Sequence, residues 1–191
     1  MAGQLTIIYL HGFNSSSKSK KALILESYLS SNKEINLVTP DLNVSPLKAI
    51  EDCKDLLMSI SGNVGLIGSS MGGLYSTYLA ELHEIKSVCI NPVVGNHIEK
   101  MRDIIGIHKN FHTNEEYLFS EKLYKELTTL KLNKLSSPLS HLCLINMGDE
   151  VLNHEITKEF FHSSLVISEK HGSHEYINFR QRIGLLLDFL N

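Results

Sequence analysis

Short apolar runs alternate along this chain with longer amphipathic stretches. The runs have the length and β-branched content of buried strands, and they cover residues 5–10, 35–39, 63–67, 86–91, 142–147 and 165–168. Near-continuous apolar strands separated by helices are typical of a parallel sheet that is covered on both faces. The pattern therefore predicts an α/β fold with a mostly parallel sheet of about six strands.

The stretches between the runs carry helix signals. Residues 20–29 are amphipathic, and residues 178–190 place their large apolar side chains on one helical face. Ser45 can cap a helix that Pro46 opens and that runs to about Ile60. Helices in these places are what a parallel sheet requires, because each crossover must return the chain to the same edge.

One long segment breaks the alternation. Between Pro92 and Pro138 the sequence shows no obvious strand, and polar runs are mixed with small apolar clusters. A connection of this length should contain its own helices or carry function. We predict that residues 97–137 are an insertion that forms a small helical lid over the mouth of the functional site, whose residues are identified below. The alternative is a helical insertion that only packs on the edge of the sheet.

The composition suits one domain of ordinary size. With 191 residues, of which 42% are hydrophobic, the chain can bury a full core, and we predict a single domain over residues 1–191. The net charge of -3 and the lack of a long basic run predict no nucleic-acid partner.

The first apolar run is too short for the core of a signal peptide or for a membrane span, and it has no basic start. We expect a cytoplasmic protein with no membrane partner. The three cysteines, Cys53, Cys89 and Cys143, are unclustered and lie in predicted helix or strand. Their number and spacing favour buried reduced thiols, and none has the ligand spacing of a zinc site.

The strongest chemical signal is a G-x-S-x-G pentapeptide at residues 68–72. It directly follows the predicted strand at 63–67 and precedes a predicted helix at 74–82. A sharp turn between strand and helix holds a serine hydroxyl clear of its own backbone and next to a base, and the flanking glycines let the two elements pass closely. Ser70 is therefore a candidate nucleophile.

A nucleophilic serine needs an orienting acid at the carboxyl end of another strand. Asp149 comes first after the predicted strand at 142–147, so its carboxylate should lie at the edge of the site. Glu150 is expected to point elsewhere. The alternative is that Asp149 only caps a helix predicted at 153–161.

The base should come from the turn after the last predicted strand, which contains His171 and His174. Either imidazole could lie near Ser70, and we prefer His174. The resulting chain order of serine, Asp149 and histidine is the one used by folds with such a serine turn.

If Ser70 attacks an acyl carbonyl, the carbonyl oxygen becomes an oxyanion. Backbone N–H groups are then needed to stabilise its charge. The Met71 N–H follows the nucleophile directly, and the Phe13 N–H lies in the loop after the first predicted strand. Gly12 lets this loop turn inward, and we predict that His11, Gly12 and Asn14 border the bound substrate. For His11, an ordinary buried histidine bonded to the loop is favoured over a direct catalytic role.

Four strings in the sequence resemble those of the YqiA-like bacterial esterases, which are small α/β-hydrolases. They are YLHGFNSS at 9–16, GSSMGG at 68–73, NP at 91–92 and GDEVL at 148–152, and the resemblance covers nearly the whole chain. It implies an α/β-hydrolase fold with a reduced sheet, in which Ser70, Asp149 and His174 match the family's triad. The chain departs from the pattern at Met71, where leucine is commoner. It also departs at His171, where a glycine is expected, and the choice between the two histidines stays open.

The resemblance implies hydrolysis of carboxylic esters with short to medium acyl groups, and acyl-CoA thioesters are a second candidate class. The predicted partner is a small-molecule ester or thioester, and no metal or organic cofactor is expected. One alternative is a binding protein that keeps this fold and has lost its chemistry. Another is a small serine peptidase with the same triad.

Three lysines offer a hint about the leaving group. Lys18, Lys20 and Lys21 cluster at the start of the first predicted helix, where the helix dipole disfavours cations. A phosphate-bearing leaving group such as CoA would explain them. A solvated helix end is the favoured alternative.

Overall fold

The computed structural model describes residues 4–191, and their strands form one six-stranded sheet and one hairpin. The strands are β1 (Leu5–Leu10), β2 (Ile35–Val38), β3 (Asn63–Ser69), β4 (Lys86–Ile90), β5 (Gly106–Lys109), β6 (Glu116–Phe119), β7 (His141–Asn146) and β8 (Leu165–Glu169). The large sheet has the order β2-β1-β3-β4-β7-β8, and all its strands are parallel. The predicted parallel sheet is thus confirmed. Residues 1–3 of the predicted single domain lie outside the described residues.

The helices flank this sheet. In the described residues they are α1 (Lys20–Leu29), α2 (Pro46–Ser59), α3 (Met71–His83), α4 (Gly95–Lys100), α5 (Glu121–Thr128), α6 (His154–Phe160) and α7 (Phe179–Leu190). Helix α2 begins as the sequence predicts, because Ser45 Oγ accepts the Lys48 N–H at 3.3 Å and Pro46 stands in the first turn. None of these seven helices combines the length and the apolar character that a membrane crossing requires.

Strand β1 shows why the central strands of the sheet are largely apolar. Its residues are all buried, and they alternate between the two faces of the sheet. Ile7 and Tyr9 pack in the core that α1 and α7 share, whereas Ile8 and Leu10 pack in the core beneath α2 and α3. With helices on both faces, no position of the strand is left for a solvated side chain.

The three cysteines are buried and free, as the sequence predicts. Cys89 on β4 is the register partner of Cys143 on β7. Burial raises the pKa of Cys53 to about 12, so this thiol stays protonated. All three lie in apolar clusters, where a thiol packs like a small apolar side chain.

The order of the strands creates a crevice at the carboxyl edge of the sheet. The chain leaves β1 towards β2 on one side and later returns to β3 on the other side. At such a switch point the two outgoing loops diverge, and ligands bind between them. The register places Leu10 beside Gly68, so the loop after β1 starts next to the turn after β3.

The segment between β4 and β7 corrects one expectation. It contains helices α4 and α5, but it also contains strands β5 and β6, which pair antiparallel with Gly106 opposite Phe119. The sequence showed no strand here because each is four residues long and mixes polar with apolar positions. The pairing is supported instead by contacts with the loop after β1, which is far away in the sequence.

A buried hydrogen-bonded pair, His141 and Glu81, connects the end of the segment between β4 and β7 to α3. His141, the first residue of β7, places Nε2 2.8 Å from Glu81 Oε1 and Nδ1 2.8 Å from Ser87 Oγ. The Glu81 carboxylate also accepts the N–H groups of Ser136 and Ser137, at 2.5 and 3.1 Å. The carboxylate is thus fully supplied with donors, and it fixes the point at which the insertion rejoins the sheet.

This pair should make stability depend on pH. Burial alone would lower the pKa of His141, but the neighbouring Cys89 sulfur and Glu81 carboxylate raise it above the ordinary 6.5. Burial alone would raise the pKa of Glu81, but its hydrogen bonds from His141 and Ser136 lower it below the ordinary 4.5. The contribution of His141 is complete below pH 6.5 and is lost as pH rises through the folded pKa. That of Glu81 is complete above pH 4.5 and is lost as pH falls.

We therefore expect the wild type to lose free energy of unfolding relative to His141→Gln as pH rises from about 5.5 to about 8.5. Urea unfolding of both proteins at the two pH values checks this. Glutamine can still bond Glu81 but carries no charge, so it isolates the titration. Parallel pH dependence in the two proteins would show that folding leaves the pKa of His141 at its unfolded value.

Candidate active site

Ser70 stands between β3 and α3 with a strained backbone. Its φ of 55° and ψ of -117° lie in a region that residues other than glycine rarely occupy. Neighbouring backbone keeps it there. The Ser70 N–H donates to Ile90 O at 3.0 Å, and Ser70 O accepts the N–H groups of Gly73 and Val93 at 2.9 and 3.0 Å. The strain presents the hydroxyl at the carboxyl edge of the sheet.

The glycines of the pentapeptide are required by close backbone contacts. A Cβ atom on Gly68 would lie 2.1 Å from Gly72 O, and one on Gly72 would lie 2.0 Å from Leu10 O. Strands β1 and β3 and helix α3 therefore pass each other at distances that leave no room for a side chain. This is the local reason why the turn at Ser70 can be so sharp.

The side chains of Ser70, His174 and Asp149 form a chain of hydrogen bonds, which we call the relay. Ser70 Oγ lies 2.9 Å from His174 Nε2, and His174 Nδ1 lies 2.8 Å from Asp149 Oδ2. The Nδ1–H donates to the carboxylate, which leaves Nε2 free to accept the serine proton. The structure thus brings together the three residues that the sequence singled out, in the geometry of a nucleophile, a base and an orienting acid.

The environment of Asp149 keeps its carboxylate ionised. Its side chain is 3% exposed, and burial alone would raise its pKa. The hydrogen bond from His174 and those from the N–H groups of Leu152 and Val151, both at 2.8 Å to Oδ1, lower the pKa instead. Asp149 can therefore stabilise a positive charge on the imidazole.

His171 and Glu150, the alternatives to His174 and Asp149, are not members of the relay. His171 is exposed, and it is His174 that lies between Ser70 and Asp149. Glu150 is not a hydrogen-bond partner of the imidazole, but its Oε2 accepts the backbone N–H of His174 at 3.0 Å. The sequence did not predict this second contact.

Two asparagines that the sequence analysis missed support the loop that carries His174. Asn91 Nδ2 donates to the carbonyl groups of Ser173 and His174, both at 3.1 Å. Asn146 Nδ2 donates to Ser173 O at 3.1 Å, and Asn91 Oδ1 accepts the Asn146 N–H at 2.8 Å. Asn91 has a φ of 39°, so its own backbone is strained. The signal for both was their position as polar residues at the ends of buried strands.

Two backbone N–H groups belong to the segments that border Ser70. Met71 opens α3, so its N–H is one of the first-turn donors that have no helical partner. The loop after β1 passes close by, since a Cβ on Gly12 would lie 3.3 Å from Ser70 Cβ. Within the described residues, the Phe13 N–H donates to no protein acceptor. Both N–H groups are thus available to a ligand.

A small cavity of about 50 Å³ adjoins this loop. Apolar and aromatic side chains make up about half of its lining, and they are Phe13, Leu42, Val44, Pro46, Met71, Tyr75, Tyr117 and Phe119. Typical ligand pockets enclose roughly 300 to 1,000 Å³. The cavity is therefore suited to a small group.

The side chains of His11 and Asn14 bond to the protein. His11 is buried, its Nε2 accepts the Leu42 N–H at 3.0 Å, and its Nδ1 lies 2.9 Å from Gly12 O. Burial lowers its pKa, so the ring is neutral. This is the ordinary buried histidine that the sequence analysis favoured over a direct catalytic role. Asn14 Oδ1 accepts the Tyr117 hydroxyl at 2.6 Å. Both residues line the cavity, and contact with substrate stays a prediction.

Lys20 and Lys21 open α1, and Lys20 contacts the residue that follows His174. Lys20 Nζ pairs with Glu175 Oε1 at 2.5 Å, next to His174, so its charge is already matched. Burial lowers the pKa of Lys21 to about 8. Among residues 4–191, no cluster of three or more histidine, cysteine, aspartate or glutamate side chains is arranged to hold a metal ion.

Comparison with known proteins gives both a family and a fold. A model of the family described as Uncharacterised protein family (UPF0227) matches residues 6–191. Similar solved structures include alpha/beta hydrolase domain-containing protein 10 from mouse, with a TM-score of 0.74 and 18% identity over 97% of this chain and 90% of that one.

Two other similar structures are an esterase and a protein with ferulic acid bound. The Pyrococcus furiosus esterase Pf2001 has a TM-score of 0.67 and 20% identity over 97% of this chain and 83% of that one. Est1E from Butyrivibrio proteoclasticus, with ferulic acid bound, has a TM-score of 0.72 and 11% identity over 97% and 89%. At these identities the likeness establishes the fold, and it confirms the predicted α/β-hydrolase architecture.

Proposed function

This chain belongs to the UPF0227 family, the family of the YqiA-like proteins whose motifs its sequence resembles, and we propose that it is a serine hydrolase that cleaves carboxylic esters. The observation that carries the proposal is the relay from Ser70 through His174 to Asp149, with distances of 2.9 and 2.8 Å. All three groups stand at the carboxyl edge of the sheet, and Ser70 borders both the loop that carries Phe13 and the first turn of α3. This arrangement supplies every group that acyl transfer needs.

The first half of the reaction forms an acyl-enzyme. Ser70 Oγ attacks the acyl carbonyl carbon while His174 Nε2 takes the hydroxyl proton, and Asp149 stabilises the imidazolium. The carbonyl oxygen becomes an oxyanion, which the N–H groups of Phe13 and Met71 bind. The intermediate then collapses, and His174 gives its proton to the departing alkoxide, which leaves as the alcohol.

The second half releases the acid. His174 Nε2 takes a proton from water, which attacks the acyl carbon, and the same two N–H groups bind the new oxyanion. Collapse of this intermediate returns the proton to Ser70 Oγ. A thioester would follow the same steps with a thiol as the leaving group, and we include thioesters as a second substrate class.

The relay also weighs against a protein that only binds. Its members are bonded to one another, and the strained turn at Ser70 has an energetic cost that a binding role does not require. A peptidase would use the same relay. Hydrolysis of matched p-nitrophenyl esters, acyl-CoA thioesters and peptide p-nitroanilides separates the three substrate classes. Ester turnover above that of a Ser70→Ala control supports the proposal, and turnover of the anilides alone would replace it.

We expect short acyl groups to be preferred. In the tetrahedral intermediate the leaving group faces His174 and the oxyanion faces the Phe13 and Met71 N–H groups, and we propose that the acyl chain extends into the small cavity that adjoins the loop after β1. Because forcing extra methylenes into a filled space costs about 1 to 3 kcal/mol, kcat/KM for a decanoate should lie at least about fivefold below that for a butyrate. A p-nitrophenyl series from acetate to palmitate measures this.

A wall substitution serves as the control for chain length. Leu42→Ala removes part of the cavity wall but keeps the backbone N–H that His11 accepts, so it should shift the optimum towards longer acyl groups. A wild type that turns over palmitate fastest would show that the acyl group binds elsewhere.

A further inference from the structure

The hairpin of β5 and β6 packs against the loop after β1, beside the nucleophile. Tyr117 Oη donates to Asn14 Oδ1 at 2.6 Å, and Asn14 Nδ2 lies 3.3 Å from His108 Nδ1. His108 Nε2 lies 2.6 Å from Ile104 O, so this nitrogen carries the proton and Nδ1 accepts from the amide. Both ends of the Asn14 side chain are thus bonded to the insertion.

Hydrogen bonds to the backbone of the loop connect the same two segments. The Phe111 N–H donates to Asn14 O at 2.8 Å, and Asn110 Nδ2 donates to Ser15 O at 2.7 Å. Asn110 stands in the turn of the hairpin, where its side chain also caps the N–H groups of His112 and Thr113. The turn and the loop are therefore ordered together.

The side chain of Phe13 is fixed from the same direction. Its ring makes edge contacts with His108, Tyr117 and Phe119, with ring centroids 5.0, 6.2 and 5.4 Å away. Phe119 is 1% exposed, so this cluster continues into the core of the domain. Phe13 is also the residue whose N–H the proposed mechanism assigns to the oxyanion. The hairpin thus contacts the ring of Phe13 and also bonds the side-chain amide of Asn14.

An oxyanion donor is useful only if its position is fixed before the charge develops. Loops are by default the mobile part of a fold, and Asn14 has a φ of 57°, a conformation that needs support. The support comes from the hairpin on two sides. We propose that the hairpin positions the oxyanion hole, and that Tyr117 is a positioning residue that acts through Asn14 on the N–H of Phe13. This inference rests on the proposed hydrolase function.

The proposal separates two roles that an insertion at this place can have. A simple cover would limit which substrates enter, and its disturbance would appear in KM and in the range of acyl groups. A positioning element stabilises the transition state, so its disturbance appears in kcat and in the affinity for a tetrahedral analogue.

The test uses Tyr117→Phe, which removes one hydroxyl and keeps the ring in the aromatic cluster. Loss of a whole oxyanion donor costs about 10²- to 10³-fold in kcat, and a donor that is only displaced keeps part of its effect, so we expect a fall of about tenfold. KM for p-nitrophenyl acetate should stay within about twofold, because the ground state gains little from the hole. The inhibition constant of butylboronic acid, whose adduct with Ser70 is tetrahedral, should rise in parallel with the loss in kcat.

Two further variants exclude a general structural effect. Tyr124→Phe removes a hydroxyl from α5 of the same insertion, and within the described residues this hydroxyl has no hydrogen-bond partner, so all three constants should stay at wild-type values. Asn14→Gly tolerates the positive φ but lacks the amide, so it should lower kcat like Tyr117→Phe. The double variant should lose little more than either single one, because both remove the same link.

The outcomes separate this inference from the proposed function. Unchanged kcat and boronate affinity in Tyr117→Phe, with Ser70-dependent activity in the wild type, would overturn the positioning role alone. A change confined to KM would do the same and would identify the hairpin as a cover. A wild type that hydrolyses no ester would overturn the hydrolase function together with this inference.

Discussion

Ser70→Ala should lower kcat for ester hydrolysis by at least about 10⁴-fold, since removal of a nucleophilic serine in such a triad costs up to about 10⁶-fold. The hydroxyl is the atom that becomes acylated, and none of its neighbours in the relay can replace it. Residual turnover would come only from the oxyanion donors and from binding. Steady-state hydrolysis of p-nitrophenyl acetate by matched preparations measures the loss.

Stability measurements make this result interpretable. The Ser70→Ala variant keeps the strained backbone at this position, so the free energy of unfolding of the variant should stay close to that of the wild type. Ser70→Gly should relieve the strain at φ 55° and add about 1 to 3 kcal/mol of stability, and it should be equally inactive. Activity near the wild-type level in either variant would remove Ser70 from the mechanism.

Gly72→Ala should have the largest effect on the fold itself. The added methyl would lie 2.0 Å from Leu10 O and 2.5 Å from His11 O. Both are backbone atoms at the end of a buried strand, so relief requires moving β1 away from α3. Overpacking of a core costs about 1 to 3 kcal/mol and occasionally more. We expect Gly72→Ala to lose about 3 kcal/mol or more of its free energy of unfolding, because backbone atoms must move to relieve the contact.

Gly184→Ala provides the matched control for this effect. Gly184 lies within α7, and the nearest atom to its added Cβ would be Tyr28 Oη at 3.7 Å, an ordinary contact. Alanine is a better helix former than glycine, so this variant should be as stable as the wild type or about 1 kcal/mol more stable. Urea unfolding compares the two. Equal stability of Gly72→Ala and the wild type would mean that the turn can open without cost.

The sequence carried most of the fold because its strands are buried on both faces. An apolar run such as β1 is visible without knowledge of its neighbours, and the elbow around Ser70 is a local pattern of five residues. The order of Ser70, Asp149 and His174 could also be predicted, because each follows a strand and parallel strands end at the same edge. Local information was sufficient for these features.

The features that the sequence did not reveal depend on contacts between distant segments. Strands β5 and β6 are too short to show alternation, and their docking partner, Asn14, is about a hundred residues away. Asn91 and Asn146 act through backbone carbonyls near His174, a role that their residue type alone does not indicate. The choice of His174 over His171 likewise needed the path of the loop after β8.

The most direct test of the account is to identify the residue that an active-site-directed phosphonate modifies. The protein is treated with an alkyl fluorophosphonate, digested, and sequenced by tandem mass spectrometry, with His174→Ala treated in parallel. The account predicts one adduct per chain, on Ser70, formed far more slowly in the variant that lacks the base. An adduct on another residue, or labelling of Ser70 at the same rate in both proteins, would contradict the assignment of Ser70 as a nucleophile activated by His174.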